Sequence, residues 1–202
     1  MTDALIDQFH IRETIENWVI WRDSGQWEKF RTVWHEGARM HSTWFRGPVD
    51  EFIAHARESF KRGAIGAHFL GGTSIEIAGP RAIAQTKKRI DSRQTVEGTP
   101  CDVICVGRFY QFFEKRDDRW AIVLHQGIYE KDRIDPIDPT AKLTLDPKLL
   151  AEFPEGYRHF AYVQTKAGLP VRRDLPGLRG PAVERLYAAG AAFLAGAPAQ
   201  FE

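Results

Sequence analysis

Apolar residues recur at three- and four-residue intervals through Leu5, Phe9, Ile11, Ile15, Trp18 and Val19, a spacing that predicts an amphipathic helix over Asp3–Trp21. Asp23-Ser24-Gly25 breaks that pattern, and Ser24 is placed to cap a second helix over Gln26–Trp34 with Trp27, Phe30, Val33 and Trp34 as its buried stripe. A short strand is expected over Ala38–Phe45. After the Gly47-Pro48 turn comes a third helix, Val49–Arg62, with Phe52, Ile53, Ala56 and Phe60 inward. The period then drops to two. Strands are predicted over His68–Ala78, interrupted at Gly71-Gly72 where a bulge or bend is permitted, and over Ala82–Val96, Asp102–Lys115 and Arg119–Lys131.

One of these strands carries more apolar character than a one-sided sheet needs. In Val103–Phe113, Val103, Cys105, Phe109 and Phe113 alternate with Ile104, Val106, Tyr110 and Phe112, so both faces are buried. Helices account for one face; the other is left to enclose a cavity or meet another subunit. From about Ile134 the composition changes to a turn-rich connector, Asp135-Pro136 and Asp138-Pro139. A short helix near Pro147–Glu152 follows, then an aromatic segment, Tyr157–Lys166, and a Pro/Gly linker. The last element is an alanine-rich helix over Ala182–Leu194. The expected organisation is an α+β domain over residues 1–134 and an extension over residues 135–202. The extension would pack on that domain or a neighbouring subunit through Tyr157, Phe160 and Tyr162.

Composition narrows the function classes. The 202 residues are 43% hydrophobic and 27% charged, with 28 Lys and Arg against 27 Asp and Glu, which gives no reason to expect a nucleic-acid partner. Lys87-Lys88-Arg89, with Arg93, is a local basic strand. Alternation divides it between faces and reads as a solvated surface or interface. No apolar window is long enough to span a bilayer, and the acidic N-terminus lacks a leader pattern, so the expected location is the cytoplasm. Cys101 and Cys105, about 13 Å apart along a strand, are beyond disulfide reach and read as packing residues. HExxH, Walker A and dinucleotide fingerprints do not occur, and His35, His41 and His68 lack metal-ligand spacing, so neither a metal nor an organic cofactor is expected. The unusual feature is six Trp, thirteen Phe and five Tyr, many near histidines and charges, which suits a pocket for a small aromatic or polycyclic molecule.

Read alone, Asp23 is equally a helix-ending residue and His68 a hydrogen-bonded core histidine. His125, in a mainly apolar strand, is either a satisfied buried histidine or a donor to a developing oxyanion. His41, Arg108 and Tyr110 are candidate binding residues, with a structural ion pair an equal reading of Arg108. Trp18, Trp44, Phe69 and Phe109 are candidate pocket walls. The run Trp21-Arg22-Asp23-Ser24-Gly25-Gln26-Trp27, the Trp34–Ala38 passage, Ala67-His68-Phe69-Leu70-Gly71-Gly72-Thr73 and Phe113-Glu114-Lys115-Arg116-Asp117-Asp118-Arg119-Trp120 together resemble the nuclear transport factor 2-like superfamily. The resemblance covers roughly Ile11–Arg133. It points to the polyketide-cyclase and dehydratase (SnoaL-like) branch, which includes scytalone dehydratase and hexachlorocyclohexane dehydrochlorinase.

That resemblance implies a cone-shaped curved-sheet barrel with a pocket between sheet and helices, and a dimer or trimer. It also implies an Asp–His pair acting without a cofactor, Asp23 and His68 occupying the matching positions. The dehydrochlorinase's pocket arginine, five residues past the last-strand Trp, is here His125. The expected activity is a cofactor-independent acid–base lyase, a dehydratase or C–C lyase releasing a small fragment. The alternatives are an isomerase or cyclase with the same pair, a non-catalytic ligand-binding module, and an accessory subunit of a ring dioxygenase.

Overall fold

The computed structural model describes residues 3–201. Its elements run α1 (Asp3–Asp23), α2 (Trp27–Thr32), β1 (Trp34–His41), β2 (Arg46–Pro48), α3 (Val49–Lys61), β3 (Ile65–Ala78), β4 (Arg81–Val96), β5 (Thr99–Arg116), β6 (Arg119–Pro136), α4 (Pro147–Ala151), α5 (Arg158–Lys166) and α6 (Pro181–Leu194). Ile11, Ile15, Trp18 and Val19 form the buried stripe of α1, whereas Leu5 and Phe9, expected on that stripe, are exposed. Gly25 follows α1 with a φ of 71°, a left-handed conformation that suits glycine and turns the chain just beyond Asp23. Ser24 caps nothing: its hydroxyl donates back to the Ile20 carbonyl at 2.6 Å, and α2 begins after Gln26. The first strand starts at Trp34, four residues before the expected Ala38, and takes the end of the expected second helix.

The six strands form one mixed sheet in the order β2-β1-β6-β5-β4-β3, antiparallel except for the parallel β1–β6 pair. The expected barrel is corrected by this order: β2 and β3 are free edges and the sheet stays open. Closure would need a ladder between those edges. β2 has three residues and runs directly into α3, so it has no length with which to pair β3. Helices close the concave side instead. The break between Leu70 and Thr73 lies at Gly71-Gly72, as the glycine pair suggested.

Two further irregularities in the β5–β6 ladder, beside Val123 and Glu130, matter more for the site. Each inserts a residue into β6 and switches which alternating set faces inward. Trp120 and Ile122 therefore share the inner face with His125 and Tyr129, although strict alternation would oppose them.

The inner face packs against α1–α3 at one end, around Trp18, Phe30, Phe52, Phe109 and Phe113. At the other end it packs against α4 and α5, around Cys105, Tyr129, Phe153 and Tyr157. The outer face is covered by α6, where Val183, Leu186 and Phe193 meet Ile83, Tyr110, Phe112 and Leu124. The doubly apolar strand thus finds its second cover within its own chain. Gly190 admits this packing: a Cβ there would stand 1.9 Å from the Tyr110 hydroxyl oxygen. Both cysteines are buried and free. Among the described residues no helix is long and apolar enough to cross a membrane.

Candidate active site

Between the inner face of the sheet and the helices lies a cavity of about 310 Å³. Its walls come from α1 (Trp18), α3 (Phe52), β3 (His68), β4 (Lys88), β5 (Phe109) and β6 (His125). α5 and the turn after it complete the wall with Phe160, Val163, Gln164, Ala167 and Leu169. The extension therefore builds part of this chain's own cavity.

Asp23 ends α1 beside β3 and accepts two hydrogen bonds from one residue. Its Oδ2 takes the His68 backbone N–H at 2.6 Å and its Oδ1 takes His68 Nδ1–H at 2.8 Å. Burial opposes the Asp23 charge, but the hydrogen bonds from His68 and the positive charge of Arg22 outweigh it and hold the carboxyl below its usual range. An ionised carboxylate only accepts, so the proton of His68 sits on Nδ1 and the Nε2 lone pair is left as a base. Burial depresses the His68 pKa despite Asp23, which keeps the ring neutral near pH 7.

His125 stacks on Trp18 with centroids 5.3 Å apart and planes 15° apart, and meets Phe109 edge-on at 4.7 Å. Gln111 Nε2 donates to its Nδ1 at 3.2 Å, which places the ring proton on Nε2. Burial, with the nearby charge of Lys88, keeps its pKa well below the ordinary histidine value, so this ring is a neutral donor. Trp18 also meets His68 edge-on at 5.3 Å, so one indole touches both imidazoles.

Trp18, Trp44, Phe109, His68 and His125 all line the cavity; Asp23 stands behind His68, and four other expected site residues lie elsewhere. Phe69 points outward from edge strand β3 and is 57% exposed. Arg108 and Tyr110 belong to the outer face of β5. Arg108 is held by Glu130 at 2.7 Å, Gln85 at 2.8 Å and the Tyr187 hydroxyl, the structural ion pair that was its other reading. His41 faces a separate, narrow crevice with Arg46, Arg172 and Phe201. Burial and neighbouring guanidinium groups lower its pKa to about 4.

Lys88 reverses a sequence expectation. Rather than a solvated strand cation, it is 3% exposed and lines the cavity, its Nζ 4.4 Å from the Tyr129 ring centroid and 5.7 Å from that of Phe109. Its face was readable from Ala82, Ala84, Thr86 and Ile90, which share its parity, but the adjacent Lys87 and Arg89 masked that signal. Among the described residues no group of three or more His, Cys, Asp or Glu side chains is placed to hold a metal ion.

Residues 3–124 match the SnoaL-like domain model, well over half of the chain. The chain belongs to the SnoaL-like family. A PEP2-like protein of Fusarium vanettenii is 37% identical to this SnoaL-like protein over 179 residues, spanning 87% of it and 77% of the relative. In fold it is similar to a Novosphingobium aromaticivorans protein provisionally assigned as a scytalone dehydratase. That match has a TM-score of 0.57 at 16% identity and covers 71% of this chain and all of the other. A type-3 hexachlorocyclohexane dehydrochlorinase from Novosphingobium barchaimii gives a TM-score of 0.54 at 13% identity, covering 71% and 98%.

Proposed function

We propose that this SnoaL-like protein is an acid–base lyase that needs no cofactor and acts on a small aromatic or polycyclic molecule held in the cavity. The observation that carries this reading is the Asp23 carboxylate accepting both the backbone and ring N–H of His68 at the cavity wall. His68 Nε2 takes a proton from a carbon activated by the aromatic system. The electron pair of that C–H bond becomes a new C=C bond as the β-hydroxyl leaves. His125 Nε2–H bonds to the departing oxygen, and the proton held by His68 completes a molecule of water. Asp23 fixes the ring and stabilises the transient imidazolium. Where the substrate carries a hydroxymethyl group instead, the same base removes the hydroxyl proton and the C–C bond breaks to release the one-carbon fragment as an aldehyde. The electron pair of that bond delocalises into the conjugated system, and the proton held by His68 returns to the carbon left behind.

The test is turnover of a β-hydroxy aromatic compound by protein treated with a chelator, followed by mass spectrometry. Loss of a small fragment supports a lyase, and product of unchanged mass would move the reading to an isomerase or cyclase. His68→Ala, folded by circular dichroism, is expected to lose about 10²–10⁴-fold in rate. Full activity in that variant removes His68 from the mechanism. Binding without turnover across such compounds would favour a ligand-binding or accessory role.

A further inference from the structure

We propose that Lys88 makes the cavity a receptor for an acidic oxygen, a carboxylate or phenolate borne by an aromatic ligand; this deepens the lyase reading and rests on it for the cavity being the ligand site. Lys88 projects from the inner face of β4, with Ile90, Ser92 and Gln94 following it at alternate positions along the same wall. Its side chain is almost fully buried, and none of the ion pairs or hydrogen bonds among the described residues includes it. Glu130, a carboxylate whose charge acts on Lys88, is already taken by Lys87 and Arg108. What Lys88 has are two ring faces, Tyr129 and Phe109.

Ring faces return only part of what stripping an ammonium of water costs. The shortfall is what a ligand oxyanion would supply, through a short charge-assisted hydrogen bond. The rest of the wall agrees. Arg22 and Arg62 also line the cavity, no Asp or Glu among the described residues does, and burial keeps His68 and His125 neutral. Burial likewise depresses the Lys88 pKa, the direction expected of a cation awaiting its counter-ion. An aromatic acid seated there would set its charged oxygen on Lys88 and its ring against Phe109 and Trp18.

The probes are benzoate against neutral benzamide, and 4-nitrophenolate against nitrobenzene, titrated calorimetrically into the full chain. At least one anion is expected to bind, its neutral partner at least about tenfold more weakly, and Lys88→Met to weaken the anion by a similar factor. The two pairs separate carboxylate from phenolate, since the bound nitrophenol shows its ionised absorbance band only if it sits as the anion. Lys88→Met keeps the length of the side chain and removes a buried charge, so its thermal midpoint should hold or rise; Lys88→Gln serves if it does not fold. Equal binding of neutral and anionic partners, unchanged affinity in the folded variant, or no anion binding by the parent overturns the proposal. His68→Asn separates the two readings. Anion binding that depends on Lys88 while His68→Asn stays active overturns only the lyase. Unchanged anion binding in Lys88→Met while His68→Asn is inactive overturns only the receptor.

Discussion

At the scale of the residue, the proposed chemistry depends on one proton being in one place. Both Asp23 oxygens accept from His68, and Oδ1 also takes Arg22 at 3.1 Å, so the carboxylate sets the tautomer as well as the angle of the ring. Replacing Asp23 by Asn should lower the rate by about 10²–10⁴, because the amide no longer holds the proton on Nδ1. The pH profile distinguishes this from mere disruption. In the parent, kcat/KM should fall on the acid side with an apparent pKa below the ordinary histidine value of 6.5. Asp23 is one of the groups raising that pKa, so its removal should move the acid limb to still lower pH. An unmoved limb would mean that another group titrates. Trp18 and Phe109 were legible as walls from sequence because aromatic residues near histidines occupied the right strands and helix. Lys88 was not, since a run of three cations reads as surface unless the face of the strand is already known.

At the scale of the element, α1, α3, α6 and the four long strands fell close to the spans that periodicity indicated, for apolar spacing is a property of the chain itself. By contrast, β1 came four residues early, and neither β2 nor α5 was among the expected elements. Side-chain facing on β6 was not legible in that way. Val123 and Glu130 each displace the alternation by one, and nothing about a valine or a glutamate announces a bulge. Tyr110 and Arg108 failed for a different reason: their face was apolar enough for a cavity, but α6 fills it. The fit of α6 turns on Gly190, where even a methyl group collides with the Tyr110 hydroxyl. Gly190→Ala should cost about 1–3 kcal/mol in urea unfolding, and adding Tyr110→Phe should return part of that loss. Ligand binding in the surviving folded fraction should be unchanged, because the collision lies on the opposite face of the sheet from the cavity.

At the scale of the whole molecule, four histidines link folding to pH. His35, His41, His68 and His125 all have folded pKa values below 6.5, His41 down to about 4. Above 6.5 both folded and unfolded forms hold these rings neutral, and they add no slope. Below it the unfolded chain takes up protons first, so stability should decline as pH falls from about 6.5 toward 4, and this loss should level off once the folded rings titrate too. Denaturant melts near neutrality and near pH ~5 check this. His41→Asn, in its separate crevice, should flatten the slope. The open sheet was the least legible feature at this scale, because whether two edges meet depends on β2 being three residues long, and its Arg-Gly-Pro sequence does not declare that.

The wall built by α5 carries a consequence for kinship. The match to the family model ends at residue 124, yet Tyr129, Phe160, Val163, Gln164, Ala167 and Leu169 all border the cavity. Asp23, His68 and Lys88 lie inside that stretch, and part of the surface facing the cavity lies beyond it. The PEP2-like relative aligns over 87% of the chain, so its likeness reaches into this wall as well. Two members can therefore agree across residues 3–124 and still differ in the shape of the cavity.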